Sequence, residues 1–187
     1  TPPTLSVGLG IGHVMDGMAH LLDLGRRAEK LAKGSDSLRS GQQSRNAVGI
    51  IFDKRSGSEL SYRANWAWDP QGNCSIVKDF SESIEILKNK LSVKKVYEIK
   101  KLAESWDETG SNSLLPAIEG ELRRICSRAH LDSQKERLRP QDIGLDISPV
   151  NTTKDALFYI KDWVNKMRIA REIEKAVPYF KQSGDWK

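Results

Sequence analysis

From Thr4 to His13 apolar residues alternate with small ones: Leu5, Val7, Leu9 and Ile11 against Ser6, Gly8, Gly10 and Gly12. The run has the length of a strand and little polar content, so it predicts a strand in a sheet covered on both faces. Glycine inside a strand marks a place where another backbone or a tightly packed helix comes close. Between Met18 and Lys33 the apolar positions Leu21, Leu24, Ala28, Leu31 and Ala32 follow helical spacing. Asp16 is predicted to cap this helix and Gly34 to end it. Gly34 to Ser44 is a polar, glycine- and serine-rich loop. Asn46 to Asp53 is apolar and β-branched, Lys54 to Ser58 has turn chemistry, and Glu59 to Trp66 alternates through Leu60, Tyr62, Ala64 and Trp66. These predict a hairpin, so the first third reads β-α-β-β.

After the breaker cluster Trp68 to Asn73 the period becomes helical. Ile76 to Leu91, Val93 to Trp106 and Leu114 to His130 each carry an apolar stripe, and Pro116 falls where a first turn tolerates it. Arg139 to Val150 reads as a linker with proline and glycine. Thr152 or Thr153 is placed to cap a last long helix through Leu157, Ile160, Trp163, Val164 and Met167. The predicted fold class is α+β: a partial ferredoxin-like β-α-β-β palm over residues 1–70, then an all-α bundle of four or five helices over 71–187.

Composition narrows the picture modestly. The 187 residues carry a net charge of +5, which permits a polyanionic partner and equally describes a solvated basic surface. Cys74 and Cys126 have no metal-ligand spacing and predict two free thiols in a reducing cytoplasm. No apolar run reaches the roughly 20 residues of a membrane span. The chain opens Thr1-Pro2-Pro3-Thr4 without Met, which is expected of a processed protein or a piece of a longer one.

The usual catalytic signatures do not assemble. There is no Gly-x-x-x-x-Gly-Lys-Ser/Thr loop, and Gly8, Gly10 and Gly12 lack the spacing of a dinucleotide fingerprint. His13, His20 and His130 are scattered. His13 and Asp53 stand at strand ends where each could face a site, and Asp142 and Asp146 lie in the linker with no helix to support a metal pair. The five tryptophans form no stacking platform with Arg or Lys and are read as core or interface residues. One cluster remains: Arg26, Arg27, Lys30 and Lys33 in the last two turns of the first helix. Cations there suit the helix dipole, and they also stand where a triphosphate could sit.

Leu5-Ser6-Val7-Gly8-Leu9, the Ala28-Glu29-x-x-Ala32-Lys33 helix end and Arg45-Asn46-Ala47-Val48 resemble the closing half of GGDEF-type nucleotidyl cyclases. With His13 after the strand, the run from Arg26 to Lys33, the run from Arg45 to Gly57 and a strand ending at Trp66, the first third is similar to the second palm domain of the large subunit of Cmr-type (type III) CRISPR effector complexes. The resemblance covers about one third of the chain. The helical remainder matches that subunit's C-terminal helical domain by position alone.

The resemblance implies a part of an enzyme that joins ATP into cyclic oligoadenylates when target RNA is recognised. It implies ATP as substrate, Mg2+ or Mn2+ held by residues outside this chain, and other effector subunits, crRNA and target RNA as partners. Lys33 falls on the family's phosphate-contacting lysine, Ser6 on the strand serine that lines the nucleotide site, and Arg45 on an arginine that touches the nucleotide or braces the loop. The Gly-Gly-Asp-Asp hairpin is absent from these residues. The resemblance therefore implies a C-terminal fragment of a longer chain, or a split or degenerate subunit, that does not catalyse alone. A non-catalytic scaffold docking neighbouring subunits and the guide-target duplex is the alternative, and an ordinary GGDEF-type cyclase a third reading.

Overall fold

The structure, a computed structural model, describes residues 4–34, 44–54, 58–66, 75–106, 114–129 and 137–182. The chain is α+β and divides into two compact units, 1–79 and 80–187. The expected boundary cluster, Trp68 to Asn73, lies outside the described residues, as do Cys74 and His130.

In the first unit β1 (Val7–Ile11) is followed by α1 (Met18–Lys33), β2 (Ala47–Lys54) and β3 (Ser58–Asn65). β1 pairs parallel with β2, and β2 antiparallel with β3, in the order β1-β2-β3. The parallel pair requires a crossover, and α1 supplies it. Leu24 and Ala28 of α1 are buried with Ile51 of β2, and Leu21 and Leu31 pack against them.

The glycines decide how close the helix comes. Gly8 and Gly49 are register partners on β1 and β2. A Cβ on Gly8 would lie 2.2 Å from the Glu29 backbone nitrogen, and one on Gly49 would lie 2.4 Å from the Ala28 carbonyl oxygen. The strand glycines Gly8, Gly10 and Gly49 thus let the backbone of α1 rest on the sheet backbone, the tight packing that their positions predict.

Two expectations fail in this unit. Asp16 does not cap α1: Gly17 is the N-cap, with no side-chain cap, and the Asp16 carboxylate instead accepts from the His13 backbone N–H at 2.6 Å. The Asp16 side chain is consumed by the turn that carries the chain off β1. Nor is β1 covered on both faces. Leu9 is 45% exposed and Ile11 37%, because β1 is an edge strand with no further strand beside it among the described residues. Val48, Ile50, Leu60 and Tyr62 on the neighbouring strands are buried. Gly34, in contrast, ends α1 as predicted, in the left-handed conformation (φ 71°) with its N–H on the Leu31 and Lys30 carbonyls.

The second unit contains most of α2 (Ser75–Asn89), then α3 (Val93–Ser105), α4 (Leu115–Ser127) and α5 (Thr153–Gln182). Pro116 sits in the first turn of α4. Thr152 is the residue that caps α5: its Oγ1 accepts the Asp155 backbone N–H at 3.1 Å. Ile99, Leu122, Ile160 and Met167 are among the buried residues of one apolar cluster.

The segment expected to be a linker is part of this core. Leu138, Ile143, Leu145 and Ile147 belong to the same buried cluster, a 3-10 turn spans Pro140–Ile143, and the Trp163 indole N–H donates to the Ile143 carbonyl at 3.0 Å. Asp142 and Asp146 are used locally. Asp142 accepts the Arg139 backbone N–H at 2.8 Å, which with the Arg139 guanidinium holds its carboxyl below the usual range. Asp146 accepts from the Ser148 hydroxyl at 2.6 Å.

Cys126 is a free, buried thiol, and burial followed by the nearby Asp142 charge pushes its pKa up to about 11. The folded state therefore holds this proton more tightly than the unfolded one, so the thiol costs no stability below pH 9 and a growing amount as pH rises from 9 to 11. At pH 8 a thiol reagent is expected to modify Cys126 only at the rate of unfolding. Rapid, denaturant-independent labelling of a Cys74→Ser variant would contradict this.

Candidate functional site

The three residues that the sequence singles out gather at one end of the β-α-β layer, where β1 and β2 begin and α1 ends. Ser6 lies two residues before Gly8, at the entry to β1. Its Oγ is buried and has no hydrogen-bond partner, an arrangement that costs about 1–3 kcal/mol. Lys33 is the last residue of α1, exposed, with its ammonium 2.5 Å from the Glu29 carboxylate one turn back. That pairing holds the Glu29 carboxyl below its usual range. Arg45 is exposed, and its backbone N–H donates to the Lys33 carbonyl at 3.3 Å, so the loop returns directly onto the helix end.

Arg45 and Asn46 both have positive φ, 62° and 45°, a conformation that asparagine tolerates and arginine adopts only rarely. The Asn65 side-chain amide imposes it here, donating to the Arg45 carbonyl at 3.0 Å and the Asn46 carbonyl at 3.2 Å. Next to it the Trp66 backbone N–H donates to Asn46, and the Trp66 indole N–H donates to the Leu5 carbonyl at 3.0 Å. The start of β1, the start of β2 and the end of β3 are therefore tied together beside Ser6.

Arg63 is the residue that the sequence reading misses. It pairs with Gly49 in the hairpin register and is only 5% exposed. Its Nε donates to the Leu31 carbonyl at 3.0 Å and its Nη2 to the Ala32 carbonyl at 3.2 Å. With Gly34 on Lys30 and Leu31, and Arg45 on Lys33, the last four carbonyls of α1 all have donors. A helix end normally leaves these groups to solvent. Leu60, Tyr62 and Ala64 alternate onto one face and Arg63 falls on the other, which is the face that α1 covers in the structure.

At the other end of the layer His20 Nε2 lies 2.9 Å from the Asp53 carboxylate, and Arg27 pairs with Glu59. These contacts fasten α1 to β2 and β3, so Asp53 has a structural partner. His13 Nδ1 accepts the Met15 backbone N–H at 3.1 Å. Trp163 is core and Trp66 is a clamp, while Trp68 and Trp186 lie outside the described residues.

The cluster offers an exposed ammonium and an exposed guanidinium, Lys33 and Arg45, above the buried Ser6 hydroxyl. These residue types suit anionic oxygens and do not fit a divalent cation, which requires carboxylate or carbonyl ligands. Among the described residues no group of three or more His, Cys, Asp or Glu could hold a metal ion. A groove of about 410 Å3 between α3 and α4, lined by Glu98, Lys101, Glu121 and Arg124 among others, mixes both charge signs. Among the described residues no helix is long and apolar enough to cross a membrane. The chain matches no protein-family model, and comparisons with curated proteins and with solved structures find no match.

Proposed function

We propose that the first unit is the phosphate-binding half of a nucleotidyltransferase palm, and that the whole chain belongs to the large subunit of a type III CRISPR effector. In this reading the effector converts ATP to cyclic oligoadenylates on target-RNA binding. The observation that carries it is the convergence of Ser6, Lys33 and Arg45, with Ser6 Oγ buried and unpartnered. Lys33 on the end of α1 is a compact, mobile charge suited to phosphate oxygens. The Ser6 hydroxyl is unpartnered but has almost no accessible surface, so it reaches a phosphate or ribose oxygen only if the entry to β1 shifts. Arg45, anchored through its backbone, has a side chain that can lie along the triphosphate. The carboxylates for Mg2+ or Mn2+ belong to a segment outside this chain, and β1, at the edge of the sheet among the described residues, has backbone groups that a further strand can pair with.

The test is Lys33→Ala in the assembled effector. A lost phosphate contact removes charge stabilisation as pyrophosphate leaves, so cyclic oligoadenylate formation is expected to fall about 100-fold. crRNA binding should be unchanged, and unaltered product formation would remove Lys33 from the site. One observation favours a second reading, the non-catalytic scaffold: Lys33 already has a carboxylate partner in Glu29. In that case the i,i+4 pair is a solvent-screened surface contact of the helix, and Lys33→Ala leaves the product yield intact.

A further inference from the structure

Arg45 enters the site in an unusual backbone conformation. It and Asn46 stand side by side at φ 62° and 45°. This left-handed region crowds the Cβ of an L-residue against the following carbonyl, and asparagine bears it better than arginine. Neither position is a glycine. A single side chain holds both residues there. The Asn65 amide nitrogen carries two hydrogens, and it lies 3.0 Å from the Arg45 carbonyl oxygen and 3.2 Å from that of Asn46. The Asn65 amide oxygen accepts from Arg63 Nη1 at 3.3 Å, which turns the nitrogen toward the Arg45–Asn46 turn. Asn65 is the register partner of Ala47, so its amide is carried on the β2–β3 ladder. Beside it the Trp66 backbone N–H donates to the Asn46 carbonyl at 2.8 Å. The side chain of Arg45, in contrast, is exposed.

We propose that Asn65 is a positioning residue of the phosphate site: by holding the Arg45–Asn46 turn left-handed, it fixes the direction in which the Arg45 guanidinium leaves the backbone. The inference rests on the reading of Arg45 as a phosphate contact. Both amide hydrogens of Asn65 go to the turn, so Asn65 acts through Arg45 and does not touch the ligand. Without them the turn relaxes toward the extended or right-handed region, and the Cα–Cβ bond of Arg45 swings with it. The guanidinium then has to be ordered at the moment of binding, which weakens the complex. Asparagine suits the task because two donors on one short planar group meet two carbonyl oxygens at once. Aspartate has the same shape and no donor, and leucine the same bulk and no polar atom.

The probe is inorganic tripolyphosphate, titrated into the full chain by calorimetry. The proteins are wild type, Lys33→Ala, Arg45→Ala, Asn65→Ala and the double variant of Arg45→Ala with Asn65→Ala, each checked for folding by urea midpoint. Arg45→Ala is expected to weaken binding about tenfold and Asn65→Ala about fivefold. The double variant is expected to bind within about twofold of Arg45→Ala, because a residue that acts through Arg45 has nothing left to position. A merely structural asparagine lowers binding by the same factor in both backgrounds, and that outcome overturns the proposal. A folded Asn65→Ala protein that binds like wild type, while Arg45→Ala loses binding, overturns it too and leaves Arg45 as a phosphate contact. If Arg45→Ala binds like wild type, the reading of Arg45 fails and takes this inference with it, and Lys33→Ala shows whether a phosphate site remains. Should Asn65→Ala not fold, Asn65→Thr replaces it in both backgrounds, since threonine suits a strand and offers at most one donor. A loss that vanishes in the Arg45→Ala background supports the role, and wild-type binding or an equal loss in both overturns it.

Discussion

Gly49→Val is expected to unfold the β-α-β unit. The position has no room for even a methyl group, because the Cβ would stand 2.4 Å from the Ala28 carbonyl oxygen and 2.7 Å from the Ala32 nitrogen. Both are helix backbone, so relief requires α1 to lift off the sheet. Lifting it would separate Leu24 and Ala28 from Ile51 and pull the Leu31 and Ala32 carbonyls from Arg63. Overpacking of this kind costs about 3 kcal/mol or more, a large share of the ~5–15 kcal/mol that holds a domain together. Gly25→Ala, on the same helix, is the control. An added Cβ there meets nothing within 4 Å, so the substitution is expected to stabilise by about 1 kcal/mol through helix propensity. Urea unfolding of the two variants measures both. A Gly49→Val protein as stable as wild type would mean that α1 does not pack on the sheet as described.

Trp163→Ala is expected to cost the helical unit about 3–5 kcal/mol. Trp163 is 3% exposed in the cluster that joins α3, α4, α5 and the 137–147 segment. Truncation leaves a cavity and strips the Ile143 carbonyl of its 3.0 Å indole donor. Trp163→Phe separates the two effects. It keeps most of the apolar volume and orphans the carbonyl, so about 1–3 kcal/mol should be lost. The 3-10 turn at Pro140–Ile143 should then exchange its amide protons faster than the middle of α5, and equal protection in the two would refute the role given to this bond.

The elements were legible because their periods were clean. Leu21 to Ala32 repeats at helical spacing and Leu60 to Ala64 alternates, so α1, β2 and β3 fall within a residue of where the pattern puts them, while β1 is shorter than the Thr4 to His13 run by three residues at its start and two at its end. What was hidden is tertiary. Ile143, Leu145 and Ile147 alternate over too short a run, between Pro140 and Pro149, to announce an element, and their burial depends on tertiary contacts such as the Trp163 anchor. Asp16 has the chemistry of a cap, but the turn at His13 uses its carboxylate first. The meeting of Ser6, Lys33 and Arg45 follows from strand-helix-strand order, since one helix end and two strand starts must share an edge of the layer. Arg63 could not be read from local pattern, because an arginine in an alternating strand has the same signature whether it faces water or a helix terminus. Only the placement of α1 over Gly8 and Gly49 makes it a buried residue.

The central claim is that this chain supplies the phosphate side of a nucleotide site without its metals. Binding of ATP and of adenosine to the 187-residue chain, each with Mg2+ and with a chelator, tests it most directly. The account predicts that ATP binds through its triphosphate, that adenosine does not bind measurably, that Lys33→Ala weakens ATP binding about tenfold, and that Mg2+ does not strengthen it. Equal binding of ATP to wild type and Lys33→Ala, or adenosine binding as tight as ATP, would contradict it.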